Sequence, residues 1–152
     1  MEKIAVARLA LADAHELAPL LAAYTQDRKR GAPREADEYY AERLLEDPVA
    51  QILGARAGGR LVGFAVYLDL PDTMTGLRAG QLDDLFVIQN SRDQGVGKAL
   101  VDGVLAEGAR RGWDHLRWMV PAKPPAAAQL AEKLAKRGPW TGYILPVARS
   151  SG

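Results

Sequence analysis

The chain has 152 residues, the length of one ordinary domain, and its hydrophobic and charged fractions of 48% and 26% argue against long disordered regions. Its 20 basic and 19 acidic side chains nearly balance, which argues against a broad surface for nucleic acid or membrane. With no cysteine and two histidines, disulfides, thiolate zinc sites, a cysteine nucleophile and a histidine-rich metal centre are excluded, and we expect no metal. No stretch approaches the roughly 20 apolar residues of a membrane helix, and charged residues interrupt the first apolar stretch, so we expect a cytoplasmic protein.

The hydrophobic pattern predicts one domain in which strands and helices alternate. Leu17, Leu20, Leu21 and Tyr24 share one face of the first helix, and the pair Gly58-Gly59 is a strong hairpin signal. In chain order we predict a strand (residues 3–9), a helix capped by Asp13, a polar loop (26–34), a helix (34–45), two strands (51–57 and 60–70), a loop (71–80), a strand (81–88), a helix (95–111), a strand (113–120), a helix (from 124 to about 138) and a final strand (140–147). The order strand, helix, strand from residue 81 implies a parallel pair with a right-handed crossover.

Two glycines, Gly95 and Gly97, follow a strand and open a helix. Glycines there let backbone N–H groups approach a phosphate, which the helix dipole also favours. A Walker loop would need glycine at Arg92 and serine or threonine at Ala99, so that motif fails twice. A dinucleotide fingerprint would need glycine at Leu100 and a place near the first strand, so it is excluded as well.

The pattern that does fit is R-x-x-G-x-G, from Arg92 to Gly97. It resembles the coenzyme-A pyrophosphate loop of the GNAT superfamily of N-acetyltransferases, and the order of predicted elements resembles that family over essentially the whole chain. The resemblance implies one N-acetyltransferase domain over residues 1–152, of the α/β (α+β) class. Its expected architecture is a mixed, mostly antiparallel twisted sheet with a central parallel strand pair and flanking helices.

The same resemblance implies acetyl-CoA as co-substrate and assigns residues to it. Backbone amides of the loop and of the helix start would bind the pyrophosphate, and two cations would add charge to the phosphate environment. The strand backbone before the loop would pair with the pantetheine arm. The amides belong to Gln94, Gly95, Val96, Gly97 and Lys98, the cations are Arg92 and Lys98, and the strand residues are Phe86 and Val87.

The strand L-D-D-L-F-V, which starts at Leu82, resembles the L-E-D-L-F-V strand of diamine (spermidine/spermine-type) acetyltransferases. There the first acid is a candidate general base, which makes Asp83 the first catalytic candidate here and Asp84 the second. A base is needed because an alkylammonium group, with a pKa of about 10.4, cannot attack a thioester until it loses a proton. Since successive strand residues face opposite sides, we expect only one of the two carboxylates to reach the groove.

The chain departs from these relatives where they place an asparagine and a proton-donating tyrosine. Counting from Val120 puts Pro124 and Ala131 at those positions, and neither can perform the role. The acid that protonates the leaving thiolate is therefore in question. The other tyrosines are conceivable replacements, with Tyr143 the first to test, although each fits packing or a pocket wall as well: Tyr24, Tyr39, Tyr40, Tyr67 and Tyr143.

We read the chain as an acetyl-CoA-dependent N-acetyltransferase that acts on an amine of a small molecule or of an amino-acid-like or polyamine-like acceptor. A protein N-terminus or a lysine is the alternative acceptor. Transfer is expected to be direct, because no cysteine exists to carry an acyl intermediate. The alternative is a catalytically weak or inactive acyl-CoA-binding protein of the same fold. We expect no nucleic-acid or membrane partner, and the resemblance allows a homodimer. No recognisable motif identifies the acceptor in the loops expected on the acceptor side, which are residues 26–34 and 71–80.

Overall fold

The computed structural model describes residues 3–28, 33 and 35–149. Within these ranges, three 3₁₀ turns accompany the strands and helices, at Leu11–Asp13, Gln89–Ser91 and Ala126–Leu130. None of the helices within the described ranges is long and apolar enough to cross a membrane. The strands are β1 (Ile4–Arg8), β2 (Gln51–Ala57), β3 (Arg60–Asp72), β4 (Leu77–Val87) and β5 (Trp113–Trp118), and the helices are α1 (Ala14–Arg28), α2 (Glu38–Glu46), α3 (Val96–Arg111) and α4 (Ala131–Leu134).

The five strands found in the described part of the chain form one sheet, in the order β1-β2-β3-β4-β5. The first three pairs are antiparallel and β4 pairs with β5 in parallel, connected by α3. The predicted mixed α+β fold is therefore confirmed. The parallel pair, however, lies at one edge of the sheet rather than at its centre, because β5 has no outer neighbour among the described residues.

Both faces of the sheet are covered, and β4 contributes to both cores. On one face its Leu82, Leu85 and Val87 pack with residues of α3 such as Leu100. On the other face Phe86 packs in the core that α1 and α2 build. Each fully buried side chain of this size stabilises the fold by about 1.5–3 kcal/mol, so the middle of β4 is held firmly between two layers.

The two hairpins show where the sequence pattern succeeds and where it fails. Gly58 and Gly59 have φ of 58° and 79°, the left-handed values that a two-residue primed turn requires, which confirms the first hairpin. The predicted loop over residues 71–80 is too long, since β3 runs to Asp72 and β4 starts at Leu77, which leaves residues 73–76 as the turn. Arg78 Nε donates to Asp69 Oδ1 at 2.9 Å across this longer hairpin. The sequence pattern did not predict the pairing, because the stretch contains several residues that favour turns.

Three other predicted elements differ from the structure. The second helix starts at Glu38, because the Asp37 side chain caps it by accepting from Tyr40 N at 3.0 Å. Residues 29–32 and 34 of the predicted polar loop lie outside the described residues. The last helix is shorter than predicted and is made of the Ala126–Leu130 turn and α4. The predicted final strand over residues 140–147 is wrong, since that segment forms neither helix nor strand.

Candidate active site

A β-bulge in β4 places both candidate carboxylates at the same site. Val66 of β3 pairs with Asp84 and the next residue, Tyr67, pairs with Leu82, which leaves Asp83 as an extra residue in β4. An inserted residue breaks the strict alternation of a strand. As a result Asp83 and Asp84 line one pocket together, and the expectation that only one of them could face the groove is wrong.

The pocket opens where β4 and β5 separate. The parallel pairing ends at Leu82 and Trp118, after which Met119 N donates to Leu82 O at 2.9 Å. Beyond this point β4 continues to Val87 while the chain that follows β5 leaves the sheet. The pocket has a volume of about 420 Å³ and is lined by Gln81, Asp83, Asp84, Met119, Val120 and Pro121.

Different elements orient the two carboxylates. Asp83 Oδ1 accepts from Gln81 Nε2 at 3.0 Å, a neighbour on the same strand. Asp84 Oδ1 accepts from the Tyr24 hydroxyl of α1 at 2.6 Å. The Tyr24 ring packs edge-on against Phe64 and lies beside Phe86, with centroids 5.6 and 5.5 Å apart, so its hydroxyl is held in place. Asp84 is thereby fixed from the helical layer.

A second tyrosine lies close enough to Asp84 to feel its charge. Burial raises the pKa of Tyr40 above its usual value, and the negative charge of Asp84 raises this pKa further. The phenol therefore stays protonated at neutral pH and can donate a hydrogen bond. Its neighbour Tyr39 is exposed, and its hydroxyl accepts from Arg43 Nη1 at 3.2 Å. The two carboxylates of the pocket are negatively charged and the tyrosine hydroxyls beside them are neutral, so the pocket favours a cationic ligand over an anionic one.

The loop before α3 leaves the first amides of that helix open. Asp93 and Gly95 have φ of 62° and 81°, and Gly95 is the N-cap residue, with no side chain that caps the helix. The N–H groups of the first turn, those of Val96, Gly97 and Lys98, therefore need partners from outside the helix. Nothing lies within 4 Å of the position that a Gly95 Cβ would take, so this side of the loop is free for a ligand. An anion such as pyrophosphate fits these donors.

The second glycine has a different role from the first. Gly97 is buried, and a Cβ there would lie 2.8 Å from Leu130 Cδ1. Gly97 thus allows the Ala126–Leu130 turn to pack against the start of α3. Sequence reasoning assigned both glycines to phosphate approach, whereas the structure gives that freedom to Gly95 and close packing to Gly97.

The two candidate cations, Arg92 and Lys98, have different surroundings. Arg92 donates through Nε to Val87 O at 3.0 Å, pairs with Asp27 at 3.3 Å, and lies 5.9 Å above the Phe86 ring. Its charge ties the loop to β4 and α1, and it already uses the Val87 carbonyl that the pantetheine arm was expected to meet.

The second cation, Lys98, lies on the surface. Its Nζ pairs with Asp102 at 2.9 Å one turn along α3, and the side chain is more than half exposed. Gln94 is exposed as well, at the outer end of the same loop. Both therefore remain accessible to a ligand at the helix start.

The comparisons with known proteins follow this geometry. The model of the Acetyltransferase (GNAT) family matches residues 16–135. The chain belongs to this family. A solved ribosomal-protein-alanine N-acetyltransferase from Brucella melitensis biovar Abortus 2308 is 41% identical with a TM-score of 0.87, over 95% of this chain and 99% of that one. An aminoglycoside acetyltransferase from an uncultured soil metagenomic sample, in complex with sisomicin, is 16% identical with a TM-score of 0.77, over 96% and 97%, and so shares the fold. No curated protein matches the chain.

These relatives support the GNAT family but not the narrower diamine resemblance. The solved structures named above are a ribosomal-protein-alanine and an aminoglycoside acetyltransferase, and neither is a diamine acetyltransferase. The L-D-D-L-F-V strand therefore marks the GNAT fold of β4 and does not by itself identify a polyamine acceptor. Within the described residues of this GNAT acetyltransferase, no group of three potential ligand side chains could hold a metal ion.

The structure also narrows the choice of the tyrosine that could donate a proton to the leaving thiolate in this GNAT acetyltransferase. Tyr143 is 87% exposed in the segment after α4, and Tyr67 is fully buried beside Trp113 with no hydrogen-bond partner for its hydroxyl in the described structure. Tyr24 and Tyr40 are the tyrosines near the carboxylates. Sequence reasoning placed Tyr24 on the apolar face of α1 but missed its role. The available signal was its hydroxyl, the one polar side-chain atom on a stripe otherwise made of leucines.

Proposed function

We propose that this GNAT acetyltransferase moves the acetyl group of acetyl-CoA directly to the amine of a cationic acceptor, with Asp83 as the general base. The observation that carries the proposal is the bulge that brings Asp83 and Asp84 into one pocket where β4 and β5 separate. Bound acetyl-CoA supplies an activated acyl group. The protein must bind the two substrates, deprotonate the amine and orient it.

The helix start is the part of the chain that suits the pyrophosphate of acetyl-CoA. Backbone amides of residues 94–98 would hold it, supported by the open N-terminus of α3 and the free space beside Gly95. From there the arm of the co-substrate would follow the part of β4 that β5 no longer covers, near Phe86. This route ends at the pocket that contains the two carboxylates.

Within the pocket we assign the carboxylates separate tasks. Asp84 is held by the Tyr24 hydroxyl and provides a fixed negative charge that attracts and orients an ammonium group. Asp83 has the neutral amide of Gln81 as its contact and accepts the proton that the amine must lose, directly or through one water. No cysteine is present, so the acetyl group passes to the amine without an acyl-enzyme.

The fate of the leaving thiol follows from the residue at position 131. Ala131 is the first residue of α4 and has no proton to give. A thiol with a pKa of about 8.5 is a tolerable leaving group, and a general acid typically contributes about 10²–10⁴-fold. We therefore infer slow but real turnover. Tyr40, which stays protonated and lies close enough to Asp84 to feel its charge, is the donor candidate.

A protein α-amine is the second candidate acceptor. The observation that favours it is the 41% identity to a structure described as a ribosomal-protein-alanine N-acetyltransferase. The α-amino group has a pKa of about 7.7–8.0, whereas that of a lysine-like or polyamine amine is about 10.4. An α-amine is thus already substantially deprotonated near pH 8 and depends less on the base.

The test is acetyl-CoA turnover against a panel of amines. A peptide with N-terminal alanine, its N-terminally blocked form, a polyamine and an aminoglycoside would be compared, with the acetylated product identified by mass spectrometry. Acetylation of any of these amines supports the proposal, and the preferred one identifies the acceptor class. Binding of acetyl-CoA without any acetylated product would contradict the proposal and support an inactive acyl-CoA-binding protein.

A further inference from the structure

One turn of α1 contacts both halves of the proposed active site. Tyr24 and Asp27 are three residues apart and so lie on the same side of the helix, near its end at Arg28. The Tyr24 hydroxyl donates to Asp84 Oδ1 at 2.6 Å in the pocket of the two carboxylates. Asp27 Oδ2 accepts from Arg92 Nη2 at 3.3 Å in the loop before α3. The last turn of α1 thus connects the acceptor side of the site to the co-substrate side.

The buried ring of Phe86 forms a second connection between the same two parts. Its centroid lies 5.5 Å from that of the Tyr24 ring, and the Arg92 guanidinium lies 5.9 Å from its centre. Packed rings attract one another, and a cation is attracted to the face of a ring. A change at Arg92 therefore reaches Tyr24 through this ring as well as through the helix.

Arg92 lies on the route proposed for the arm of acetyl-CoA. Ile88 N donates to Val62 O of β3 at 2.9 Å. The same peptide group carries the Val87 carbonyl, which in a trans peptide points the opposite way, toward the edge of β4 that β5 no longer covers. Arg92 Nε donates to this carbonyl at 3.0 Å. An arm that binds along the open edge therefore meets the guanidinium and competes with it for Val87.

The position of Asp27 in its helix makes it dependent on a cation. The C-terminal end of a helix carries partial negative charge, so a carboxylate in the last turn destabilises that turn. Arg92 offsets this charge from outside the helix, and the side chains of Arg92 and Asp27 are 28% and 48% exposed. A partly exposed ion pair of this kind shifts an equilibrium by up to about fivefold, which is too little to decide whether the chain folds.

We propose that Asp27 is a positioning residue that couples the binding of acetyl-CoA to the binding of the acceptor. The bound arm takes the Val87 carbonyl, and the guanidinium released from it pairs more fully with Asp27. This pairing stabilises the last turn of α1, and that turn holds Asp84 through Tyr24. The inference rests on the proposed function, because it takes Asp84 as the group that orients the acceptor.

The first test measures hydrogen exchange of α1 by mass spectrometry, with free CoA as the probe. In the wild type, saturating CoA should slow the exchange of the backbone amides of residues 24–28 by about fivefold. Asp27→Asn should still bind CoA but lose this slowing, and Asp27→Glu should restore it in part. Asp102→Asn is the matched control, because Asp102 pairs with the other candidate cation, Lys98, and this variant should respond as the wild type does.

The second test determines whether Asp27 acts through Tyr24. With the amine of the panel that is acetylated fastest, Asp27→Asn should raise the acceptor KM about three- to fivefold at unchanged kcat. In a chain that already carries Tyr24→Phe, the same change should raise KM no further, because two residues that act through one contact are not additive. An equal increase in both backgrounds would show that Asp27 acts independently of Tyr24 and would overturn the inference.

The exchange experiment also separates this inference from the proposed function. A wild type in which CoA leaves the exchange of residues 24–28 unchanged or accelerates it would overturn the inference, as would a slowing that Asp27→Asn retains. Because this experiment uses CoA alone, it decides the inference even if no amine is acetylated, a result that would refute the proposed function instead.

Discussion

Replacing Tyr24 by phenylalanine tests how α1 supports the pocket. The change removes one hydroxyl, which donates to Asp84 at 2.6 Å, and keeps the ring that packs on Phe64 and Phe86. A hydrogen bond to a charged group contributes about 1.5–3 kcal/mol, and 1.4 kcal/mol corresponds to about tenfold in an equilibrium constant. Because Tyr24 is only partly buried, we use the lower end of this range.

The expected result is that the acceptor KM rises about tenfold while kcat stays within about threefold, because Asp84 orients the acceptor and does not take its proton. The free energy of unfolding should fall by about 1.5 kcal/mol. Initial rates can be followed with a thiol reagent that reacts with released CoA, and the absence of cysteine from the chain removes any background.

Tyr39→Phe is the matched control, since it removes an exposed hydroxyl whose contact is Arg43. It should change neither KM nor kcat. The reasoning would be refuted if Tyr24→Phe lowered kcat a hundredfold at constant KM, which would place the hydroxyl at the reacting atoms. It would also be refuted if Tyr24→Phe behaved like the control.

Three further predictions concern the phosphate loop, the missing acid and the stability of the fold. Gly97→Val should lower the melting temperature by several degrees, because its side chain meets Leu130 and displaces the start of α3. The displaced amides should no longer bind pyrophosphate, so the stabilisation by acetyl-CoA should be lost as well; a normal ligand-induced shift in thermal denaturation would contradict this. The rate of the wild type should rise toward alkaline pH as free amine accumulates, and Ala131→Tyr should increase this rate at neutral pH. A wild-type kcat of about 10 s⁻¹ would show that another residue already donates the proton to the leaving thiolate. Arg56 holds the pKa of Glu16 below its usual value through a hydrogen bond, so Glu16 contributes stability above its unfolded pKa and loses it as the pH falls through the lower folded value. Arg56→Met should therefore lower stability at pH 7 more than at pH 3 in urea unfolding, and an equal loss at both would show that packing dominates.

Much of the fold can be predicted from local pattern. The helix that starts after Gly95 and ends at Gly112 follows from apolar spacing and from two glycines that adopt left-handed φ. The hairpin at residues 58 and 59 follows from the same property. The phosphate loop could be predicted as well, because its signal consists of consecutive residues between a strand and a helix.

The arrangement of the pocket could not be predicted, because it depends on contacts distant in sequence. The bulge at Asp83 results from the register of β3 against β4, which the local sequence of β4 does not determine. Tyr24 and Asp84 are 60 residues apart, and no spacing rule connects them. The segment over residues 140–147 has the composition of a strand but pairs with no strand among the described residues, since pairing depends on contacts distant in sequence as well as on propensity.

The most direct test of the account is a steady-state comparison of wild type and Asp83→Asn with acetyl-CoA and the preferred amine. The substitution keeps size and hydrogen-bonding capacity and removes charge and basicity. Asp114→Asn, on β5 outside the pocket, is the control.

If Asp83 is the base, kcat falls by about 10²-fold or more while the KM for acetyl-CoA barely changes, and the control behaves as wild type. If only the acceptor KM rises, Asp83 attracts the cation and is not the base. If neither constant changes, Asp83 has a structural role and the proposed mechanism is wrong.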